Sequence, residues 1–307
     1  MDIFSFTKKL CDKYNIKPAR SKGQNFLISE RAYARIIQAA DLNKEDIVLE
    51  VGPGLGFLTE RLAEKVKKVL AVELDDKLAG ALKERLAEDG IRNVEVLNED
   101  VLKFSISNFQ FSNNFQFPIF NDKPRYKIVA NLPYNITSFF LRKFLSDENL
   151  RPSLMVLMLQ REVAERIIAR PPEMSLLAVA VQFYAEAKIM AKVPAGNFWP
   201  SPKVDSAIIR LDNRKQITDN REMRNADNRK LVSWEKVDER KFFDMVRFGF
   251  SAKRKMLKNN LAKGLEIKQD EVEKILKEQE FNPKVRAQEL EVGDWVKLFG
   301  ELKRFMV

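Results

Sequence analysis

Residues 46–51 read Asp-Ile-Val-Leu-Glu-Val, an apolar run interrupted by one acid, and Gly52-Pro53-Gly54-Leu55-Gly56 follows directly. The run predicts a buried strand. The glycines predict a tight turn whose backbone can approach a ligand closely. Leu58, Leu62 and Val66 then share one helical face. Strand, glycine turn and helix in this order commit the chain to an α/β arrangement, and the alternation continues. Lys68 to Leu74, Val94 to Leu97, Tyr126 to Ala130 and Ser153 to Leu159 read as further strands. Asp76 is the expected cap of a helix carrying Leu78, Leu82 and Leu86, with Gly90 as its stop, and Ser138 to Leu145 reads as another helix. Strands alternating with helices predict a parallel, doubly wound sheet.

The glycine turn departs from the dinucleotide fingerprint, which needs a sixth-position glycine where this chain has Phe57. Glycines at 52, 54 and 56 are more typical of S-adenosylmethionine enzymes. Glu73 ends the second strand, 23 residues past Glu50, where a carboxylate can accept from both ribose hydroxyls. Asn98-Glu99-Asp100 ends the third strand, where an Asp can accept from an adenine amino group. Asn131-Leu132-Pro133-Tyr134 ends the fourth, and ligands of open sheets sit beyond the carboxyl ends of the strands. Asn131 offers a carbonyl acceptor for an exocyclic amine. Pro133 stiffens the turn, and Tyr134 offers a flat face for a flipped base.

Composition narrows the chemistry. The chain has no His, which removes His-based triads, general bases and metal sites. Its single Cys11 cannot form an internal disulfide or a thiolate cluster, so a cytoplasmic location and no metal are expected. No apolar run is long enough to span a membrane, and Met1-Asp2-Ile3-Phe4 lacks a signal-peptide core. With 54 Lys and Arg against 44 Asp and Glu, the net charge of +10 favours a polyanionic partner. Residues 241–264 hold seven Lys/Arg against one acid, and residues 1–31 hold seven against three.

Two segments break the α/β rhythm. Residues 105–124 carry five Phe among Asn, Gln and Ser and read as an insertion. Residues 213–230 are polar and charged and read as a linker. Phe242 to Leu261 and Asp270 to Gln279 then read as amphipathic helices. A catalytic domain over 1–212 and a small helical, RNA-contacting domain over 213–307 are therefore expected.

At this point the chain resembles the small-subunit ribosomal RNA adenine dimethyltransferases, which form N6,N6-dimethyladenosine on two adjacent adenosines near the RNA 3′ end. Gly23-Gln24-Asn25-Phe26-Leu27 resembles the family's N-terminal motif, Glu50 to Gly56 its cofactor turn and Val72-Glu73-Leu74-Asp75 its ribose acid. Asn131 to Ser138 resembles the catalytic motif, Phe198 to Ser206 the motif that closes the base pocket, and Phe250 to Leu261 the C-terminal basic helix. The resemblance implies a Rossmann-like methyltransferase domain with a small C-terminal α-helical domain, and S-adenosylmethionine as cofactor. It implies Asn25, Leu27, Gly52, Gly54, Glu73, Asp100 and Asn131 as cofactor contacts. Asn131, Leu132, Pro133, Tyr134 and Phe198 are implied at the target adenine, with Tyr134 and Phe198 on its two faces. Lys22, Lys253, Arg254, Lys255 and Lys258 are the expected phosphate contacts, with Arg254 and Lys258 sharing a helix face. The expected partner is small-subunit rRNA in a pre-30S-type particle, bound by a monomer. Two alternatives stay open: a large-subunit rRNA adenine methylase of the erythromycin-resistance class, and a non-catalytic assembly or transcription factor on the same fold.

Overall fold

A computed structural model of the chain describes residues 2–18, 24–104, 119–120, 123–124, 126–214 and 237–306. It divides into two compact units, Met1–Ala164 with Ala185–Gln216, and Glu165–Tyr184 with Ile217–Val307. The second unit thus takes in 165–184, which a boundary at 212 assigns to the first.

The first unit is built on a seven-stranded sheet. Its strands are β2 (Ile47–Val51), β3 (Lys68–Glu73), β4 (Val94–Asn98), β5 (Lys127–Asn131), β6 (Leu154–Gln160), β7 (Ala185–Val193) and β9 (Ser206–Asn213). The short strands β1 (Phe26–Leu27) and β8 (Phe198–Trp199) pair apart from it. The sheet order is β4-β3-β2-β5-β6-β9-β7. The first five strands are mutually parallel, while β9 runs antiparallel to both β6 and β7. The parallel reading therefore holds for the half that follows the glycine turn and fails at the far edge. There β9, reached from β7 through residues 194–205, inserts between β6 and β7 and runs antiparallel to both. Every residue of β2 is buried, as expected of a central strand with helices over both faces.

Helices frame this half. They are α1 (Ile3–Lys13), α2 (Glu30–Ala40), α3 (Phe57–Ala63) and α4 (Asp76–Glu88), and α5 (Thr137–Ser146) follows the fourth sheet strand. The cap of α4 is Asp75, one residue before the expected Asp76; its carboxylate accepts from Lys77 N and Leu78 N. Gly56 holds the turn into α3 at φ +87°, and a Cβ there would lie 2.4 Å from Leu82 Cδ1. Of the Phe-rich segment, only the pairing of Ile119–Phe120 with Lys123–Pro124 lies within the described residues.

The second unit packs α7 (Leu176–Tyr184), α8 (Glu239–Gly249), α9 (Leu257–Leu265), α10 (Gln269–Glu278) and α11 (Val292–Leu302), with the short α6 (Arg161–Ile167) at its chain junction. Phe242 stacks on Phe183 at 4.7 Å between ring centroids, and Trp295 is fully buried. The single helix expected over Phe242 to Leu261 is two helices. Asn260 explains the break: its side-chain amide donates to Gly249 O at 2.7 Å and Ala252 O at 3.1 Å, satisfying carbonyls that a continuous helix would use itself.

Candidate active site

Each parallel strand ends at one rim of the sheet, and the residues just beyond those ends enclose a cavity of about 390 Å³. Asn25, Leu27, Gly52, Gly54, Glu73, Asp100, Asn131, Leu132, Pro133, Tyr134 and Phe198 all line it. The chain thus gathers, from positions spread over most of the first unit, every expected cofactor and adenine contact.

The glycine turn needs its glycines. Gly52 and Gly54 have φ +64° and +57°, a region costly for residues with a Cβ. A Cβ on Gly54 would also touch the Phe26 ring at 3.4 Å. Glu73 ties the turn to the next strand end. One carboxylate oxygen accepts from Gly54 N at 3.1 Å and the other from Asp75 N at 3.0 Å. Burial raises the Glu73 carboxyl above its ordinary range, and these two N–H groups oppose the rise. Gln24 donates to Asp75 Oδ2 at 3.2 Å, which brings the N-terminal motif to the same corner. Asp100 accepts from Leu102 N at 2.9 Å, an interaction that fixes the carboxylate at the end of β4.

Opposite the glycine turn, Leu132 N donates to Met158 O at 3.2 Å, extending the β5–β6 ladder one residue past the strand. The chain then turns at Pro133 into a 3₁₀ turn over Tyr134–Ile136. The Tyr134 hydroxyl lies 2.7 Å from Ser206 Oγ of β9, so its ring is held at both ends. Phe198 sits in β8, paired with Leu27 across the two-residue ladder, while Trp199 pairs with Phe26. It is 3% exposed and belongs to the core cluster that contains Leu27, Leu55 and Leu58. Phe198 is therefore both a core side chain and a wall of the cavity. Tyr33 supports the ladder from behind by donating its buried hydroxyl to Leu27 O at 2.9 Å.

Sequence reasoning gave no individual role to several lining residues, although Glu50 and Leu74 fall inside the motifs it named. Glu50 is 1% exposed, and its Oε2 has no hydrogen-bond partner among the described residues. Burial pushes its carboxyl up to about 8. The one signal was an acid inside an otherwise apolar strand. Leu74, 69% exposed, and the buried Val101 line the cavity beside Glu73 and Asp100. Nothing in their local pattern separates them from ordinary strand-end residues.

The basic residues are arranged differently from the expectation. Lys22 lies outside the described residues. Lys253, Arg254 and Lys255 are exposed in the turn between α8 and α9, not on a helix. Lys258 is in α9 and pairs with Glu273 at 2.5 Å, so Arg254 and Lys258 do not share a helix face. Among the described residues, no group of His, Cys, Asp or Glu is placed to hold a metal ion, and no helix is long and apolar enough to cross a membrane.

A sequence profile described as ribosomal RNA adenine dimethylase matches residues 15–304. The chain is 40% identical over 296 residues to ribosomal RNA small subunit methyltransferase A of Dehalococcoides mccartyi, covering 96% of this chain and 92% of that protein. It is 37% identical to the protein of the same name from Clostridium botulinum, covering 95% and 96%. Among solved structures, a dimethyladenosine transferase from Plasmodium falciparum superposes with a TM-score of 0.72 at 26% identity, over 92% of this chain and 98% of that one. The 23S rRNA methyltransferase ErmE superposes with a TM-score of 0.65 at 28% identity, over 91% and 100%.

Proposed function

The chain belongs to the ribosomal RNA adenine dimethylase family, and on that premise we propose how its own residues carry out the chemistry. It is an S-adenosylmethionine-dependent rRNA adenine dimethyltransferase. In our reading its target is a pair of adjacent adenosines near the 3′ end of small-subunit rRNA, met on a pre-30S-type particle. The protein acts in the cytoplasm as a monomer and without a metal.

The cavity suits the methyl donor. It offers a glycine turn at positive φ, the strand-end carboxylate of Glu73, and the apolar Leu74 and Val101. When bound, S-adenosylmethionine supplies an electrophilic methyl group on a sulfonium. Glu73 accepts from the ribose hydroxyls, Asp100 from the donor's adenine amine, and Leu74 and Val101 enclose that ring. Asn25, Leu27, Gly52 and Gly54 complete the cradle.

On the other side, Asn131 Oδ1 and the Leu132 carbonyl accept from the N6 amine of the target. Adenine N6 is a poor nucleophile because its lone pair is delocalised into the ring. Two acceptors draw the amine towards tetrahedral geometry and stabilise the positive charge that develops on it. Tyr134 and Phe198 hold the flipped base between them, which fixes the approach angle. The methylated amine loses its proton readily, so no histidine is required. Lys253, Arg254, Lys255 and Lys22 supply phosphate contacts, which position RNA without reading its sequence.

The observation that carries this reading is the convergence of Glu73, Asp100, Asn131, Tyr134 and Phe198 on one cavity. The test is tritium transfer from labelled S-adenosylmethionine to purified small subunits lacking dimethyladenosine, with the modified nucleosides mapped. Label on two adjacent adenosines is expected. Label confined to large-subunit rRNA, offered in parallel, would favour the erythromycin-resistance class.

A further inference from the structure

Helix α5 continues directly from the catalytic tetrapeptide and carries two consecutive phenylalanines with opposite fates. Phe140 is fully buried and stacks near Phe144 in the core, whereas Phe139 is 68% exposed. The apolar stripe of the helix runs through Phe140, Leu141, Phe144 and Leu145, and Phe139 falls off it. Packing of the first unit therefore gives no reason for an aromatic ring at 139.

Its neighbours supply one. Asn135 and Ile136 line the cavity, and Phe139 follows Ile136 by three residues, placing their side chains side by side at the first turn. Arg142 follows after another three residues. It is exposed, and no carboxylate is paired with it among the described residues. Cavity rim, aromatic ring and unpaired guanidinium thus form one continuous strip. Lys143, on an adjacent face, donates to Leu102 O at 2.7 Å and Phe104 O at 2.6 Å, which anchors the helix beside the end of β4.

We infer that Phe139 is a stacking platform for the unpaired RNA base next to the target adenosine, with Arg142 on the adjoining phosphate. The inference rests on the rRNA methyltransferase reading of the cavity. A base drawn into that cavity leaves its neighbour unstacked on one face, and an exposed aromatic at the rim replaces the lost partner. An aromatic ring beside a free cation is what a single strand of RNA binds, and the chain's net charge of +10 has the same sign. Phe139 is a positioning residue: it touches the flanking nucleotide, and the reacting amine is held by Asn131 and Leu132.

The test uses the full chain and single-turnover methyl transfer to small subunits lacking dimethyladenosine. Phe139→Ala and Phe139→Leu should raise the half-saturating subunit concentration roughly five- to a hundredfold, and Phe139→Trp should restore it. Calorimetric affinity for S-adenosylmethionine and the melting temperature should stay at wild-type values, because the ring is exposed and outside the cavity. Arg142→Gln should lower the log–log salt slope of subunit binding by about 0.7. A Phe139→Leu protein that saturates like wild type would show that the ring is not stacked on a base and overturn the proposal. Self-association that Phe139→Ala abolishes while transfer is untouched would overturn it in favour of a second copy as the occupant. A wild-type protein that binds the methyl donor and subunits yet transfers no label would instead remove the function reading, and this inference with it.

Discussion

Glu73 is anchored on both oxygens before any ligand arrives, by Gly54 N and Asp75 N, so its carboxylate is already fixed in the cavity wall. Glu73→Ala should therefore weaken S-adenosylmethionine binding by about 1.5–3 kcal/mol, the usual worth of a hydrogen bond to a charged group, with RNA affinity little changed. Isothermal titration with each ligand would check this; unchanged donor affinity would remove Glu73 from the site. Glu50 behaves oppositely, being buried with one oxygen unpartnered. Its carboxyl rises from an ordinary 4.5 to about 8, so between those values the folded chain holds a proton that the unfolded chain has released. Its contribution to stability is present at pH 4.5 and is lost as pH rises towards about 8. Glu50→Gln should flatten that decline, measurable as the difference in urea midpoint between pH 5 and pH 8.

At the scale of elements, the turn between α8 and α9 separates two kinds of basic residue. Lys253, Arg254 and Lys255 stand exposed, whereas Lys258 is engaged by Glu273, whose carboxyl is held down at about 2 by Lys258 and Lys277. Replacing Lys253, Arg254 and Lys255 with Glu should flatten the salt dependence of RNA binding by about 0.7–0.9 in log–log slope per lost phosphate contact, while Lys258→Gln should leave the slope nearly unchanged. An equal effect of both replacements would mean that the ion pair opens on RNA. Gly249, the last residue of α8, has Trp295 so close that a Cβ would lie 2.3 Å from its ring. Gly249→Ala should therefore cost about 1–3 kcal/mol of the second unit's stability by overpacking, read by denaturant unfolding, with donor affinity preserved. The strands β2 to β6 and the glycine turn were legible because apolar runs and glycines are local signals. The α8–α9 break was not legible, since Ser251 to Met256 contains ordinary helix formers. Its cause is the Asn260 side chain reaching back to Gly249 and Ala252. The pairing of β1 with β8 was equally hidden. Two-residue strands carry no periodicity, and their register is set only by the partner.

The whole molecule comprises two units, each with its own core, and the methyl donor's expected contacts all lie in the first. Binding to the native state alone stabilises by RT ln(1 + [L]/Kd), about 2.7 kcal/mol at a hundred times Kd. Saturating S-adenosylmethionine should therefore slow amide hydrogen exchange across β2 to β5, with much less effect on α8 to α11. Uniform protection of both sets would show that the units unfold as one. A two-part division was legible, but the membership of Glu165–Tyr184 in the second unit was not, because that segment packs with α8 and α11 only through contacts distant in sequence.

The β1–β8 ladder has a consequence in time. Phe26 and Leu27 reach their partners Trp199 and Phe198 only after 173 further positions have been synthesised, and β9, which sits between β6 and β7, comes later still. At roughly 5–20 residues per second, translation delivers the closing pair about 10–35 seconds after the opening one. A nascent or truncated chain that stops short of residue 198 therefore has the glycine turn and the carboxylates, yet lacks the Phe198 wall of the cavity. Competence to grip the target base arrives near the end of the first unit's synthesis, as a single late event.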